Sequence, residues 1–282
     1  NDLIKNLAER ASFGAIDTYF GPTFACFPDN EFQEIVFKVL NSPSAKEKIT
    51  IISDSLIVKA PDGSTSTING DGGSTEFRSR LGNLNQRNAV GYHSVNLTLR
   101  IKSNRNIVLE NNYHTGFWVL NEKLLSTGEP FTADRHFLYR NNQPFPVAGT
   151  TYMSSDVARR FLLEPNPAVW DKDFQEMKSA GVNMIRTGIW TAWKLYFDEK
   201  GEVKEEVLRA FEAFILTAKK YDIPVIFTFF AFMPEMFGGK NAYLDPVSIE
   251  GQKKFLAAFA SRVKSAKDVI WDLINEPTFA NP

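Results

Sequence analysis

The segment Trp271-Asp272-Leu273-Ile274-Asn275-Glu276-Pro277, WDLINEP in one-letter code, decides the fold of the second half of the chain. It closes a short apolar run that starts at Val269 and ends on an Asn-Glu pair and a proline. A run of this length bounded by turn residues reads as a strand, the last of an alternating series. The residues before it supply the rest of the pattern. Asp245-Pro246 gives an N-cap and a proline for the first helical position, and Ile249, Leu256, Phe259 and Val263 fall on one face of the helix that follows. Before that helix, Ile223 to Phe230 is a continuous apolar strand. It is preceded by an amphipathic helix over 202–221 with Val203, Val207, Phe211, Phe214, Ile215 and Ala218 on one side.

Further toward the amino end, Val182-Asn183-Met184-Ile185-Arg186 reads as a strand. The helix before it is opened by Asn166-Pro167, carries Trp170, Phe174 and Met177 at i, i+4 and i+7, and stops at Gly181. Phe137 to Arg140, the turn-like Asn141-Asn142-Gln143-Pro144 and the stretch 145–149 suggest a hairpin leading into a buried strand. The order β-α-β-α-β-α-β predicts a parallel sheet with right-handed helical crossovers.

Before about residue 137 the grammar differs. After a helix-like opening over Asp2 to Arg10, strands are expected at Glu34 to Leu40, Lys48 to Ala60, Val95 to Ile101, Asn106 to Glu110 and Gly116 to Leu120. Val95-Asn96-Leu97-Thr98-Leu99-Arg100-Ile101 alternates apolar and polar, the period of a half-buried antiparallel strand. Pro61-Asp62-Gly63-Ser64 is a turn, and Ser64 to Gly73, rich in Gly, Ser, Thr and Asn, reads as an exposed loop. The expectation is a β-rich, sandwich-like domain over 1–136 and an α/β domain over 137–282.

Composition narrows the partners. Lys and Arg number 32 against 33 Asp and Glu, for a formal net charge of -1, so no electrostatic footprint points to nucleic acid or an anionic membrane. No run of 18 or more apolar residues is present. The single Cys26 excludes an internal disulfide framework and a cysteine-rich zinc site. His93, His114 and His136 lack metal-ligand spacing and suit structural roles. No phosphate-cradling loop, nucleophile elbow or dinucleotide fingerprint is found, and no cofactor is expected.

From Phe137 onward the chain resembles the first half of a clan A glycoside hydrolase, on the strength of Gly181-Val182-Asn183-Met184-Ile185-Arg186, the strand and helix alternation, and Trp271 to Pro277. Within the clan it is most similar to family 5 cellulases and mannanases, with the sandwich-plus-barrel enzymes of the β-galactosidase and β-glucuronidase type as near relatives. No family is recognised in the β-rich half. The resemblance implies strands 1–4 of a (β/α)8 TIM barrel preceded by an antiparallel β-sandwich-like domain. It makes Glu276 the general acid/base, Asn275 a hydrogen-bond partner of the sugar 2-hydroxyl, and Arg186 the arginine that orients the nucleophile. Glu276, just past a strand, stands where barrels of this kind carry their functional groups.

Trp190 and Trp193, in Gly188-Ile189-Trp190-Thr191-Ala192-Trp193, offer flat faces for stacking on sugar rings; packing under a loop is the plain alternative. Phe230, Phe232 and Tyr243 are weaker candidates for the same role. Glu235 reads either as a substrate contact or as a solvated loop acid, and Arg186 also suits pairing with a surface acid. The chain departs from many family 5 enzymes in having Phe227-Thr228-Phe229-Phe230-Ala231-Phe232 where a histidine ends the third strand.

The implied function is retaining hydrolysis of β-linked poly- or oligosaccharides. An exo-acting β-galactosidase- or β-mannosidase-like enzyme and a non-catalytic carbohydrate-binding protein are the alternatives. The family's nucleophile, a glutamate near the end of the seventh strand, is expected on a further barrel half supplied by the same protein or a second chain. A secreted or periplasmic location follows from the substrate class.

Overall fold

The computed structural model describes residues 19–29, 34–40, 49–69, 76–80, 90–103, 108–231 and 237–276. The helix-like opening Asp2 to Arg10 lies outside them, as do Phe232, Glu235 and Pro277. The chain divides into two compact units, Asn1–Val119 and Leu120–Pro282.

The first unit is built of strands. β1 (Tyr19–Pro22), β3 (Glu34–Leu40) and β6 (Glu76–Arg80) form an antiparallel sheet in the order β1-β3-β6. β2 (Cys26–Phe27), β4 (Ile49–Lys59), β5 (Thr65–Asn69), β7 (Gly91–Ser103) and β8 (Val108–Val119) form a second sheet, ordered β2-β8-β7-β4-β5. In the second sheet Leu56 faces Leu97, Val58 faces Val95 and Val95 faces Thr115, which stacks the alternating apolar positions into one buried layer.

Two expectations are corrected here. Thr65–Asn69, read as loop, is β5, because the Pro61 to Ser64 turn brings it back onto β4 with Lys59 opposite Thr65; Ser64 N–H and Oγ–H both donate to Asp62 Oδ1, at 2.9 and 2.6 Å. The strands expected on either side of Asn111 to His114 are one strand, β8, since pairing with the long β7 runs without interruption from Val108 to Val119. Ladder pairing overrides the polar composition of that stretch.

The second unit opens with the short helix α1 (Glu122–Leu125), capped by the Asn121 side chain. A small antiparallel sheet follows: β9 (Phe131–Ala133), β10 (Leu138–Arg140) and β11 (Gln143–Pro144). Its β10–β11 hairpin turns through Asn141 and Asn142, both at positive φ, which Asn tolerates better than most residues. The first parallel strand is β12 (Gly149–Thr151); it starts at the last residue of the 145–149 stretch, and it is exposed rather than buried because it forms an edge of its sheet. Residues 120–136, grouped with the β-rich part by sequence, go with this unit: α1 packs against the long helix over Glu205–Lys220, and Lys219 Nζ donates to the Thr127 carbonyl.

The remaining elements follow the predicted alternation. They are α2 (Pro167–Ser179), β13 (Met184–Gly188), α3 (Glu205–Lys220), β14 (Val225–Phe230), α4 (Pro246–Arg262) and β15 (Val269–Ile274). The predicted caps are in place: Asn166 Oδ1 accepts from Ala168 N–H, Asp245 Oδ1 accepts from Val247 N–H, and Gly181 has φ +84° past the end of α2. α3 begins with Glu205 and Glu206 and ends with Lys219 and Lys220, charges that complement its dipole. The parallel sheet has the order β12-β13-β14-β15.

One face of this sheet carries Ile185, Thr187, Val225, Phe227 and Phe229, all buried. Phe227 meets Phe211 of α3 at 4.7 Å and Phe259 of α4 at 6.0 Å between ring centroids. A second aromatic cluster centres on Phe214, whose ring lies 4.9 Å from Phe161, 5.4 Å from Trp170, 5.5 Å from Phe174 and 5.6 Å from Tyr152. These layers fix the helices on the sheet and set the position of the strand ends. Buried Lys219 and Asp268 form an ion pair, with Arg140 Nη2 3.5 Å from Asp268 Oδ2 and 2.6 Å from Asp222 Oδ1. That network ties β10 to the end of α3 and the start of β15. No helix among the described residues is long and apolar enough to cross a membrane.

Candidate active site

Side chains alternate across a strand, so the face of the parallel sheet away from the helices carries Met184, Arg186 and Gly188 on β13, Ile226, Thr228 and Phe230 on β14, and Ile270, Asp272 and Ile274 on β15. Register places Gly188 opposite Thr228 and Thr228 opposite Asp272. A Cβ on Gly188 would lie 2.2 Å from the Thr228 carbonyl oxygen, so only glycine fits this close approach. Arg186, two residues before Gly188, reaches across small Thr228 to β15.

There Arg186 donates from Nε and Nη2 to Asp272 Oδ2, at 3.1 and 2.6 Å, and from Nη2 to Asn275 Oδ1 at 3.0 Å. Thr228 Oγ1 donates to the same Asp272 oxygen at 2.7 Å. Asn275 is held by its backbone as well, its N–H donating to the Phe230 carbonyl at 2.8 Å. Because Asn275 Oδ1 accepts from arginine, its amide nitrogen is left as a donor directed elsewhere. Glu276 follows at φ +48°, in the left-handed region that a residue with a long side chain seldom adopts, and is exposed. Backbone outliers of this sort cluster at functional sites.

Of the residues singled out by sequence, Arg186 and Asn275 are brought into contact, and Glu276 is the next residue along the chain from Asn275. Arg186 also faces Trp190, its guanidinium carbon 5.4 Å from the ring centroid, a cation–π distance. Trp190 Nε1 is buried without a hydrogen-bond partner among the described residues. Trp193 sits in a 3-10 turn over Trp193–Tyr196 and packs against Tyr196, Phe230 and Phe255, with centroids 6.2, 5.7 and 5.8 Å away. Phe230 is buried in the same cluster, so the end of β14 is apolar where a histidine is common in the resembled family. Burial raises the pKa of the Tyr196 phenol. Tyr243 lies in the loop before α4, where its N–H donates to Asn241 Oδ1.

Sequence reasoning missed Asp272 and Thr228. The signal for Asp272 was present, since a carboxylate amid Ile270, Trp271, Leu273 and Ile274 must find a partner if its face is covered. Thr228 had no comparable signal. Among the described residues no group of three or more His, Cys, Asp or Glu could hold a metal ion.

The sequence matches the model of Cellulase (glycosyl hydrolase family 5) over residues 140–282, just over half of the chain. No curated protein matches it. Similar solved structures include GH5_18 from Streptomyces cattleya in complex with GlcNAc, at 16% identity and TM-score 0.39, covering 44% of this chain and 32% of that one. The exo-β-1,4-mannosidase Op5Man5 from Opitutaceae bacterium strain TAV5 matches at 20% identity and TM-score 0.43, covering 51% and 28%. The endo-1,4-β-mannanase from Rhizomucor miehei matches at 16% identity and TM-score 0.41, covering 53% and 49%. The chain therefore spans between about a quarter and a half of the length of these solved proteins. With the family match laid over the parallel sheet and its Arg186–Asn275 contact, the chain belongs to glycosyl hydrolase family 5.

Proposed function

We propose that the second unit carries the acid/base side of a retaining glycosidase site that hydrolyses β-glycosidic bonds of poly- or oligosaccharides. The observation that carries this reading is the Arg186–Asn275 hydrogen bond beside Glu276 at the carboxyl end of a parallel sheet. Family membership supports it. In this reading the sheet is strands 1–4 of a (β/α)8 barrel, following a sandwich-like domain. Glu276 protonates the departing glycosidic oxygen and then deprotonates the attacking water. Asn275 donates its amide N–H to the sugar 2-hydroxyl, and Trp190 and Trp193 flank the sugar rings.

Retention needs a second carboxylate about 5 Å from the first. Asp272 does not suit that place: its carboxylate is committed to Arg186 and Thr228 within the sheet. The nucleophile is assigned to the remaining barrel half, on the same protein or a second chain. Polymeric glycans are met outside the cytoplasm, so the reading carries a secreted or periplasmic location with it.

Glu276→Gln tests the reading on aryl β-glycosides of glucose and mannose. With a poor leaving group, kcat/KM is expected to fall by about 10²- to 10⁴-fold. A 2,4-dinitrophenyl leaving group needs no proton, so its release is spared, and added azide, which needs no base, should speed turnover and give a β-glycosyl azide. Unchanged turnover of both substrate types would remove Glu276 from the chemistry.

A further inference from the structure

We propose that Asp272 is a positioning residue that sets the amide of Asn275 through Arg186, so that the site presents a fixed donor to the sugar 2-hydroxyl. The inference rests on the glycosidase reading of Glu276 and Asn275 and adds to it the group that organises them. Asp272 Oδ2 gathers three donors, Arg186 Nε at 3.1 Å, Arg186 Nη2 at 2.6 Å and Thr228 Oγ1 at 2.7 Å. Two of them come from one guanidinium edge, which fixes the plane of that group. Arg186 Nη2 carries two hydrogens; one is used on Asp272, and the other goes to Asn275 Oδ1 at 3.0 Å.

The carboxylate thereby chooses the rotamer of the arginine, and the arginine chooses the flip of the asparagine amide. Without the carboxylate, Arg186 keeps its charge and its flexible stem but loses the anchor that points Nη2 at Asn275. The backbone does not compensate, because the Asn275 N–H bond to the Phe230 carbonyl fixes the main chain and leaves the side-chain torsions free. Thr228 reinforces the arrangement. It is fully buried, and its hydroxyl holds the carboxylate oxygen from the strand between. The side chains of Arg186 and Asp272 are each about a third exposed or less, so the pair lies at a boundary that a bound sugar can reach rather than deep in the core. The competing account is an ion pair that merely stabilises the inner face of the sheet. That account predicts lost stability and no particular effect on Asn275 or on a substrate hydroxyl.

The test uses the full protein and the variants Asp272→Asn and Asp272→Glu. Nitrogen-15 spectra of the free protein come first, with the Asn275 side-chain amide assigned through Asn275→Asp. Asp272→Asn is expected to shift that amide and to speed solvent exchange of the Arg186 Nε–H at least tenfold, with Asp272→Glu restoring part of both. Kinetics come second, on 2,4-dinitrophenyl β-glucoside and β-mannoside and on their 2-deoxy counterpart, which is common to the two series. A misplaced amide should lower kcat on the 2-hydroxyl substrates by about 10²-fold, with KM little changed. On the 2-deoxy compound the loss should be clearly smaller, what remains being the share that Arg186 contributes by orienting the nucleophile.

An Asn275 amide signal identical in wild type and Asp272→Asn overturns the proposal, as does an equal loss of kcat with and without the 2-hydroxyl. A wild-type protein that turns over none of these compounds refutes the glycosidase reading instead, and the spectra alone then decide whether Asp272 positions Asn275. Thermal unfolding of each variant identifies any that has simply lost its fold. In that event Thr228→Val, which removes one donor to the carboxylate and keeps the ion pair, must reproduce a smaller shift of the Asn275 amide for the proposal to stand.

Discussion

His93 makes the first unit sensitive to acid, and the size of the effect follows from its surroundings. The ring is fully buried on β7, stacked on Phe117 at 4.6 Å with an interplanar angle of 9°. Nδ1 lies 3.2 Å from the Gly91 carbonyl, while Nε2 is buried with no hydrogen-bond partner among the described residues. Burial disfavours the imidazolium and lowers the pKa from 6.5 to about 4, against smaller opposing effects of the Gly91 carbonyl and Asp62. Between these two values the unfolded chain takes up a proton that the folded unit refuses. Stability from this group is therefore complete above pH 6.5 and falls as the pH drops toward 4. A difference of that size corresponds to about 3 kcal/mol, with a slope of no more than about 1.4 kcal/mol per pH unit. The assay is amide hydrogen exchange of β7 and β8 in the full chain at several pH values from 7 to 4, with exchange rates corrected for their intrinsic pH dependence. The opening free energy of these strands should fall by that amount in the wild type, and the decline should be largely absent in His93→Phe. An equal decline in His93→Phe would refute the reasoning and put the acid sensitivity elsewhere.

Other outcomes follow from the second unit. Phe214→Ala should cost about 3–5 kcal/mol, at the upper part of that range because the rings of Phe161, Trp170, Phe174 and Tyr152 are themselves buried and poorly able to collapse into the gap. For a unit of this size, differential scanning calorimetry should show a fall in Tm of roughly 6–20 °C; a fall under about 3 °C would show that the cluster relaxes freely. Lys219→Met should cost about 3–5 kcal/mol by leaving buried Asp268 with Arg140 as its one charged neighbour among the described residues, and Lys219→Met combined with Asp268→Leu should recover much of the loss. If the double variant is less stable than the single one in urea unfolding, the penalty comes from lost packing rather than from the stranded charge.

The parts of the fold that were legible in the sequence are those whose signals are local. Asn166-Pro167, Asp245-Pro246 and Gly181 marked helix ends because caps and positive φ are properties of a few adjacent residues. β14 and β15 were legible as apolar runs. What was not legible depended on partners far along the chain. Thr65–Asn69 has a loop's composition and becomes a strand only because β4 offers it a ladder. Asn111 to His114 look like a break until β7 spans them. The same holds at the site. Glu276, Asn275 and Arg186 were marked by a motif, and Asp272 stood out as a carboxylate in an apolar run, but its match to Arg186 followed from the register that set Thr228 beside it. The roles of Trp190 and Trp193 depend on a loop conformation that spacing does not encode.

The parallel sheet runs β12-β13-β14-β15, in the order of the chain. Each strand joins the edge left by the one before it, and each intervening helix covers that junction. Assembly from the amino end never requires a formed strand pair to open for an insertion, so a chain emerging from the ribosome can add one strand and one helix at a time. A sheet whose order departed from chain order would have to hold a gap or wait for a later strand. This one grows at the edge of its newest strand, while β12 stays at the other edge throughout.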